Sequence, residues 1–278
     1  MLRSVAFFLL ALGAAPLALA QSSPALSNPL SSSLAIPWNL TLAQTNKPPR
    51  ETLEPFSRVG LGAGISLMGI NLQAATNMDR HLNLRVNGDV FGYSVNNINT
   101  NGFTFGGNLS LASMGVDVDY FPFPTHGFRL SPGLLLYNQN AVTATGTVAA
   151  GTSFTLNSNT YYSSASNPVQ AAATIGFHAN NPAFTLTTGW GNLISRTGGH
   201  LSFPFEIGVA FTGAPSVNLA LPSGQVCDAT GNNCVNVSTD ATLQSDLQAQ
   251  IAKYKNDLNV LTVYPILSFG IGFNFHVR

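Results

Sequence analysis

One triplet in this chain has the residue types for hydrolytic chemistry: His200-Leu201-Ser202, with Glu206 four positions further on. A histidine that takes a proton from a serine, oriented by a carboxylate, makes a hydroxyl nucleophilic at neutral pH. A second set of groups is more widely spaced: Arg85, Asp89, Asp117, Asp119, Arg129 and Glu206. Paired carboxylates suit glycosidic acid–base chemistry when a sugar chain can reach them. With two arginines among them, they also suit a buried ion-pair network. Cys227 and Cys234 flank the turn sequence Gly231-Asn232-Asn233. Without a histidine or acidic cluster beside them, they read as one disulfide rather than a metal site. His126 and His178 each lack a nucleophile and an acid at useful spacing. Neither zinc spacing nor a glycine-rich phosphate loop occurs, so the expectation is no metal, no cofactor and no enzyme.

The elements that carry these groups alternate. Leu201, Phe203, Phe205, Ile207, Val209 and Phe211 lie on one face of a strand, and Ser202, Pro204, Glu206, Gly208, Ala210 and Thr212 on the other. By this alternation His200 and Ser202 face inward with Glu206. Near the end of the chain Leu267, Phe269, Ile271, Phe273 and Phe275 alternate with Ser268, Gly270, Gly272 and Asn274. Large apolar groups on one face and tiny or polar ones on the other describe a strand with a greasy exterior and a narrow interior. All six charged residues of the dispersed set fall on that inner face. A charge on a lipid-facing row costs roughly 2–4 kcal/mol at mid-membrane, so this segregation points to a transmembrane barrel.

Composition agrees. Only 8% of residues are charged and the formal net charge is zero, against about 25% charged in ordinary soluble domains. No apolar run beyond residue 20 reaches the ~20 residues of a spanning helix. Lipid forbids open sheet edges, which leaves a closed barrel. A neutral chain also lacks the basic face that nucleic acids require.

The chain divides into three parts. Residues 1–20 carry Arg3, an apolar stretch from Val5 to Leu12 and Ala18-Leu19-Ala20, and read as a signal peptide. Residues 21–57, rich in Ser and Pro, read as a periplasmic linker in which Leu34 to Leu42 could dock on the barrel. Residues 58–278 are the barrel, all-β and antiparallel, with about eight strands. Ten is the alternative, reached by splitting Ala141 to Asn181 into a hairpin. In strand four Phe105, Leu109 and Leu111 face out and Val116, Val118 and Tyr120 take over later, so a bulge is expected between Ala112 and Gly115.

With both barrel ends in the periplasm, Asn77 to Arg80, Pro122 to Gly127 and Asn192 to Gly199 become short inner turns. Val95 to Gly102, Ala141 to Val169 and Pro215 to Asn259 become outer loops. Tyr120, Trp190, Phe203 and Phe275 then form an aromatic girdle at the inner interface. In the last outer loop Leu243, Leu247, Ile251, Tyr254 and Leu258 recur at helical spacing, with Asp240 at the start and Lys253 and Lys255 near the end. This predicts a helix over 239–258 that packs on the barrel mouth.

The unit Asp119-Tyr120-Phe121-Pro122-Phe123, followed by Gly127-Phe128-Arg129-Leu130-Ser131-Pro132-Gly133-Leu134, resembles the strand–turn–strand unit of small bacterial outer-membrane barrels. These include the OmpA-type transmembrane barrel and the OmpW-like and opacity-like barrels. The closing strand through Phe275 extends the likeness, although His276, Val277 and Arg278 follow the last aromatic. The His-x-Ser triplet is similar to that of a lipid A deacylase family of barrels, but Arg196 to Gly199 and Phe203-Pro204 depart from that family's motif. The resemblance implies an outer-membrane barrel; with its narrow lumen filled by the inner ion pairs, the expectation is a protein of structural or surface-interaction type with a charge-plugged lumen. It contacts membrane lipid and meets any extracellular partner through its long loops. A narrow channel for ions or small solutes and a lipid-modifying enzyme are the alternatives.

Overall fold

The computed structural model describes residues 54–100, 102–177, 181–196 and 199–277. The expected signal peptide, the linker up to residue 53 and its segment Leu34 to Leu42 lie outside the described residues. The elements, in chain order, are β1 (Arg58–Ser66), β2 (Gly69–Asn77), β3 (Leu82–Thr100), β4 (Phe103–Tyr120), β5 (Arg129–Asn138), β6 (Ala141–Val148), β7 (Ser153–Leu156), β8 (Asn159–Ser163) and β9 (Gln170–Gly176). They continue with β10 (Ala183–Trp190), β11 (Leu201–Ser202), β12 (Phe205–Phe211), β13 (Ser216–Ser223), β14 (Gln225–Cys227), β15 (Val235–Asn236), α1 (Ala241–Leu258) and β16 (Tyr264–His276).

Antiparallel pairings run β1–β2–β3–β4–β5–β10–β12–β16 and back to β1, closing a ring of eight. β11 continues β12 along β16, with Phe203 and Pro204 interrupting where proline has no N–H to give. The ten-strand alternative fails because residues 141–176 lengthen existing strands instead of adding new ones. Ser113 pairs Asn138 and Ser110 pairs Ala141, so β6 follows β5 along β4 without losing step. In the same way β9 precedes β10, and β13 follows β12.

The wall is therefore uneven. One end, where β1 begins and β16 finishes, is here called the terminal end. Toward the far end, β1, β2 and β16 stop, while β3, β4, β6, β9 and β13 continue as an open five-stranded sheet. The stretch expected to loop at Val95 to Gly102 is strand up to Thr100. Much of the two long loops is strand too: Ala141–Val148 within one and Ser216–Ser223 within the other.

Along the ring, alternation sends large apolar groups out. Ile65, Leu72, Val90, Leu134, Leu186 and Phe269 are all 47–68% exposed. In the far-end sheet this pattern inverts. Tyr93, Leu109, Val142, Ile175 and Val217 are successive cross-strand partners. Direct partners share a face, and on β4 Leu109 has the same parity as Asp117 and Asp119, which point into the barrel. The next row, Val95, Gly107, Ala144, Ala173 and Leu219, lies on that face as well. Thr143, Thr145, Thr174 and Asn218 occupy the other face.

The expected bulge in β4 is thus corrected. β4 runs in unbroken register with β3 through residues 112–115, and Leu109 and Leu111 face in rather than out. The irregularity at that height belongs to β5, where Met114 pairs Tyr137 and Gly115 pairs Leu135, leaving Leu136 as the extra residue. What changes along β4 is the environment outside, not the phase of the strand.

α1 begins at Ala241, its first turn capped by Asp240, which accepts from Leu243 N at 2.8 Å. Leu243, Leu247 and Ile251 are buried against Val148, Leu156, Leu221 and Val226. The helix packs on β13 and β7 and not on the barrel mouth, because the far-end strands supply the apolar surface that its stripe needs. β7 and β8 form a hairpin that pairs onward through β14 to β15, and Cys227 and Cys234 are disulfide-bonded.

Asp246 ties α1 to that hairpin. It accepts from Asn159 Nδ2 at 2.6 Å, Tyr161 Oη at 2.5 Å and Asn157 Nδ2 at 3.2 Å. These bonds hold its carboxyl below the usual range, while burial and the bond to Asp246 push the Tyr161 phenol up to about 12. A phenol whose pKa is raised on folding stabilises below its unfolded value, near 10.0, and loses that contribution as pH climbs through about 12. Limited proteolysis across that window is expected to cut the far-end unit progressively faster. Tyr161→Phe, which has no proton to lose, is expected to remove this part of the alkaline dependence.

Candidate functional site in the barrel interior

The inner rows of β3, β4, β5 and β12 each bring charge to one level. Arg85 sits on β3 directly opposite Asp117 on β4, Asp119 lies two residues along, and Arg129 and Glu206 come from β5 and β12. Arg85 Nη2 meets Glu206 at 2.9 Å, Asp119 at 3.1 Å and Asp117 at 3.3 Å. Arg129 Nη2 donates to Glu206 at 2.6 Å, and its Nε is 3.7 Å from Asp119. All five residues are buried. Small neighbours complete the shell: Ser131 Oγ donates to Asp119 at 2.6 Å, Thr185 Oγ1 to Asp117 at 3.3 Å, and Asn87 Nδ2 also donates to Asp117. At Gly133 an added Cβ would collide with Asp117 Oδ1, so that glycine is the room the carboxylate occupies. Two guanidiniums then balance three carboxylates except for one negative charge. Stranding any of these ions would cost several kcal/mol.

Asp89, expected in the same cluster, stands apart toward the far end. It accepts from Ser66 Oγ at 2.6 Å, Asn71 Nδ2 at 2.9 Å and Ser113 Oγ at 3.5 Å. Between it and the network lies a cavity of about 30 Å³, lined among others by Gln73, Asn87, Thr187 and Ser268. That is room for about two waters. Met68, in the two-residue turn between β1 and β2, is only 4% exposed; its sulfur accepts from Ser113 Oγ at 3.4 Å and Asn140 Nδ2 at 3.5 Å.

Sequence reasoning missed the terminal side. Residues 191–196, mostly within the stretch Asn192 to Gly199 that reads as a short inner turn, fold up into the barrel, where Leu193 and Ile194 are buried against Ala75. The facing glycines make space for this: a Cβ at Gly60 would lie 2.6 Å from Leu193 O, and one at Gly62 2.9 Å from its Cδ2. Asn192 Oδ1 accepts from Asn83 Nδ2 and from Ile194 N, both at 2.9 Å. Arg196 Nη2 donates to Asn83 Oδ1 at 2.9 Å, its guanidinium 5.1 Å from the centre of the Phe121 ring. Arg58 Nη1 holds Ser195 O at 2.7 Å. The available signal was the pair Leu193-Ile194 inside an otherwise polar turn, read together with glycines on β1 and β16.

The His-x-Ser triplet is not assembled. His200 Nδ1 is 2.9 Å from Asn274 O and its ring stacks on Phe273 at 5.6 Å. Ser202 Oγ is buried without a hydrogen-bond partner, and Glu206 is engaged by the two arginines. Tyr120, Trp190 and Phe275 lie at the terminal ends of their strands and Phe203 in the break between β11 and β12, all four 39–56% exposed. Among the described residues no group of three or more metal-ligating side chains gathers.

No family model and no curated protein matches the chain. Solved structures do. Acinetobacter baumannii CarO2 superposes with a TM-score of 0.50 at 18% identity, covering 80% of this chain and 100% of its own. Acinetobacter baumannii CarO gives 0.48 at 19% identity over 81% and 99%. A major outer membrane protein from Thermus thermophilus gives 0.26 at 14% over 78% and 98%. The likeness to CarO2 carries the fold: the chain has the architecture of a small bacterial outer-membrane β-barrel.

Removing Arg85 takes the counter-ion from Asp117 and leaves Asp119 and Glu206 with Arg129 alone. Arg85→Ala is expected to cost about 3–5 kcal/mol. Asp89→Asn, which keeps neighbours able to pair with an amide, is expected to cost about 1 kcal/mol. Urea titration of the two variants in detergent micelles, followed by the heat-modifiable shift on gels, checks the order and the gap.

Proposed function

We propose that this chain resides in the bacterial outer membrane as a closed barrel of structural and surface-interaction type, its terminal end in the periplasm and its far-end unit outside the cell. The observation that carries the reading is the network of Arg85, Arg129, Asp117, Asp119 and Glu206, which fills the lumen at mid-height. Leu193 and Ile194 support it from below and Met68 from above. Three chemically unlike layers in series suit a wall meant to stay shut. Activity then belongs to the outside, where the disulfide-bonded loop and α1 sit on extended strands and can meet a partner. Catalysis has no place in this reading, since Glu206 is held by arginines and His200 turns to Asn274.

A narrow passive path is the second reading, favoured by the cavity beside Asp89. A solute on that path meets Met68 first and the arginine network next.

Planar-bilayer recordings of the refolded mature protein separate the two. The closed reading expects no discrete steps from the wild type. Glu206→Ala, which breaks the network without touching Leu193, is expected to stay silent or nearly so because the terminal layer remains. Resolved wild-type steps whose size changes in Arg85→Ala and Glu206→Ala would establish the channel instead.

A further inference from the structure

Among the described residues, the apolar row Tyr93, Leu109, Val142, Ile175 and Val217 is uncovered along most of its length. Tyr93 is 61% exposed, Val142 45% and Ile175 40%, and only Val217 is buried. The row crosses five strands at a spacing of about 4.8 Å, so it spans roughly 20 Å. It faces the space above the barrel mouth, and α1 packs only on rows beyond it, over Val148 and Leu221. No charged residue lies on β3 beyond Asp89, nor on β6, β9 or β13. Such a surface offers nothing to orient a polar solute. A partner strand would use the sheet's free edges at β3 and β13 and not this face.

The wall beside the row is low. β1 and β2 turn back at Leu67 and Met68, and β16 begins only at Tyr264. The rim there is apolar: Leu67 is 49% exposed, and the lead into β16 presents Val260 at 80%, Leu261 at 52% and Val263 at 45%. This rim continues the apolar exterior through Ile65 and Leu267. From exterior wall to inner row, the path over β16, β1 and β2 crosses apolar side chains.

We propose that the inner face of the far-end sheet is a lipid-binding groove, filled by an acyl chain of an outer-leaflet lipid that enters sideways over the low rim of β1, β2 and β16. The groove rests on the reading of the barrel exterior as lipid-facing. Tyr93 at its edge places a hydroxyl where an acyl chain meets its headgroup. The polar face of the same sheet, with Thr143 and Thr174, stays in water.

Three single-cysteine variants, each carrying an environment-sensitive fluorophore, test this in phosphatidylethanolamine vesicles with plain or dibrominated acyl chains. The native cysteines are disulfide-bonded and take no label. Leu186→Cys reports the exterior wall, Ile175→Cys the groove and Thr174→Cys the opposite face of the same strand. The expected result is bromine quenching at 175 of at least half that at 186, with none at 174. Adding Val142→Asp is expected to abolish quenching at 175 and leave 186 unchanged. Quenching at 186 without quenching at 175 overturns the groove and keeps the barrel reading. Equal quenching at 174 and 175 means general immersion of the sheet, which also overturns it. Shielding at 175 independent of lipid, with a cross-linked dimer, assigns the face to a second copy instead. Absence of quenching at 186 removes the lipid-facing wall itself, and the groove with it.

Discussion

The seam between β1 and β16 is the contact on which the molecule depends. Residue pairs from Arg58–His276 to Ser66–Ser268 join the first strand of the ring to the last. Without them the sheet has two raw edges and no inside. With them every inner row faces another inner row across a narrow lumen, and Arg85 comes within 2.9 Å of Glu206 although β3 and β12 share no hydrogen bond. Small residues keep the seam tight: Gly60, Gly62 and Gly64 oppose Asn274, Gly272 and Gly270. The seam is also the longest-range contact in the ring. Its loop-closure entropy must be met before the network can form, which places ring closure among the slow steps of folding.

Once the ring is closed, the interior has little freedom. Arginine forks, with several fixed donors each, can serve multiple carboxylates at once, and the hydroxyls of Ser131 and Thr185 take up remaining lone pairs. Such an arrangement is sensitive to subtraction, not to dilution by solvent. The terminal layer works by different means. Leu193 and Ile194 are apolar; Arg58 clamps the segment's backbone at Ser195, Asn83 holds its Asn192, and the segment's own Arg196 reaches back to Asn83. Loss of one layer therefore leaves the other chemically intact.

Much of this was legible in the residue order, for reasons that can be stated. The barrel and its inner charges could be read because lipid makes each ring strand carry its own address: Glu206 between Phe205 and Ile207, Arg129 beside Leu130. The helix was visible because Leu243, Leu247 and Ile251 keep helical spacing. Three things could not be read. The height of Asp89 relative to Asp117 depends on strand stagger, which single strands do not encode. The inward fold of Leu193 depends on glycines in two strands remote in sequence. The expected bulge came from taking an apolar side as the outside along the whole of β4, when Leu109 and Leu111 lie beyond the level where that rule applies.

That change of rule has a mechanical consequence. On β4 and the strands beside it, the residues just below the switch are greasy outside and polar within, and those just above are the reverse. In a bilayer, sinking the molecule by one row drags the threonines of β6 into hydrocarbon, and raising it by one row lifts Leu134 and Leu136 into water. Either displacement is penalised on five neighbouring strands at once. The pattern acts as a waterline written into the sequence, and it fixes how deep the molecule floats.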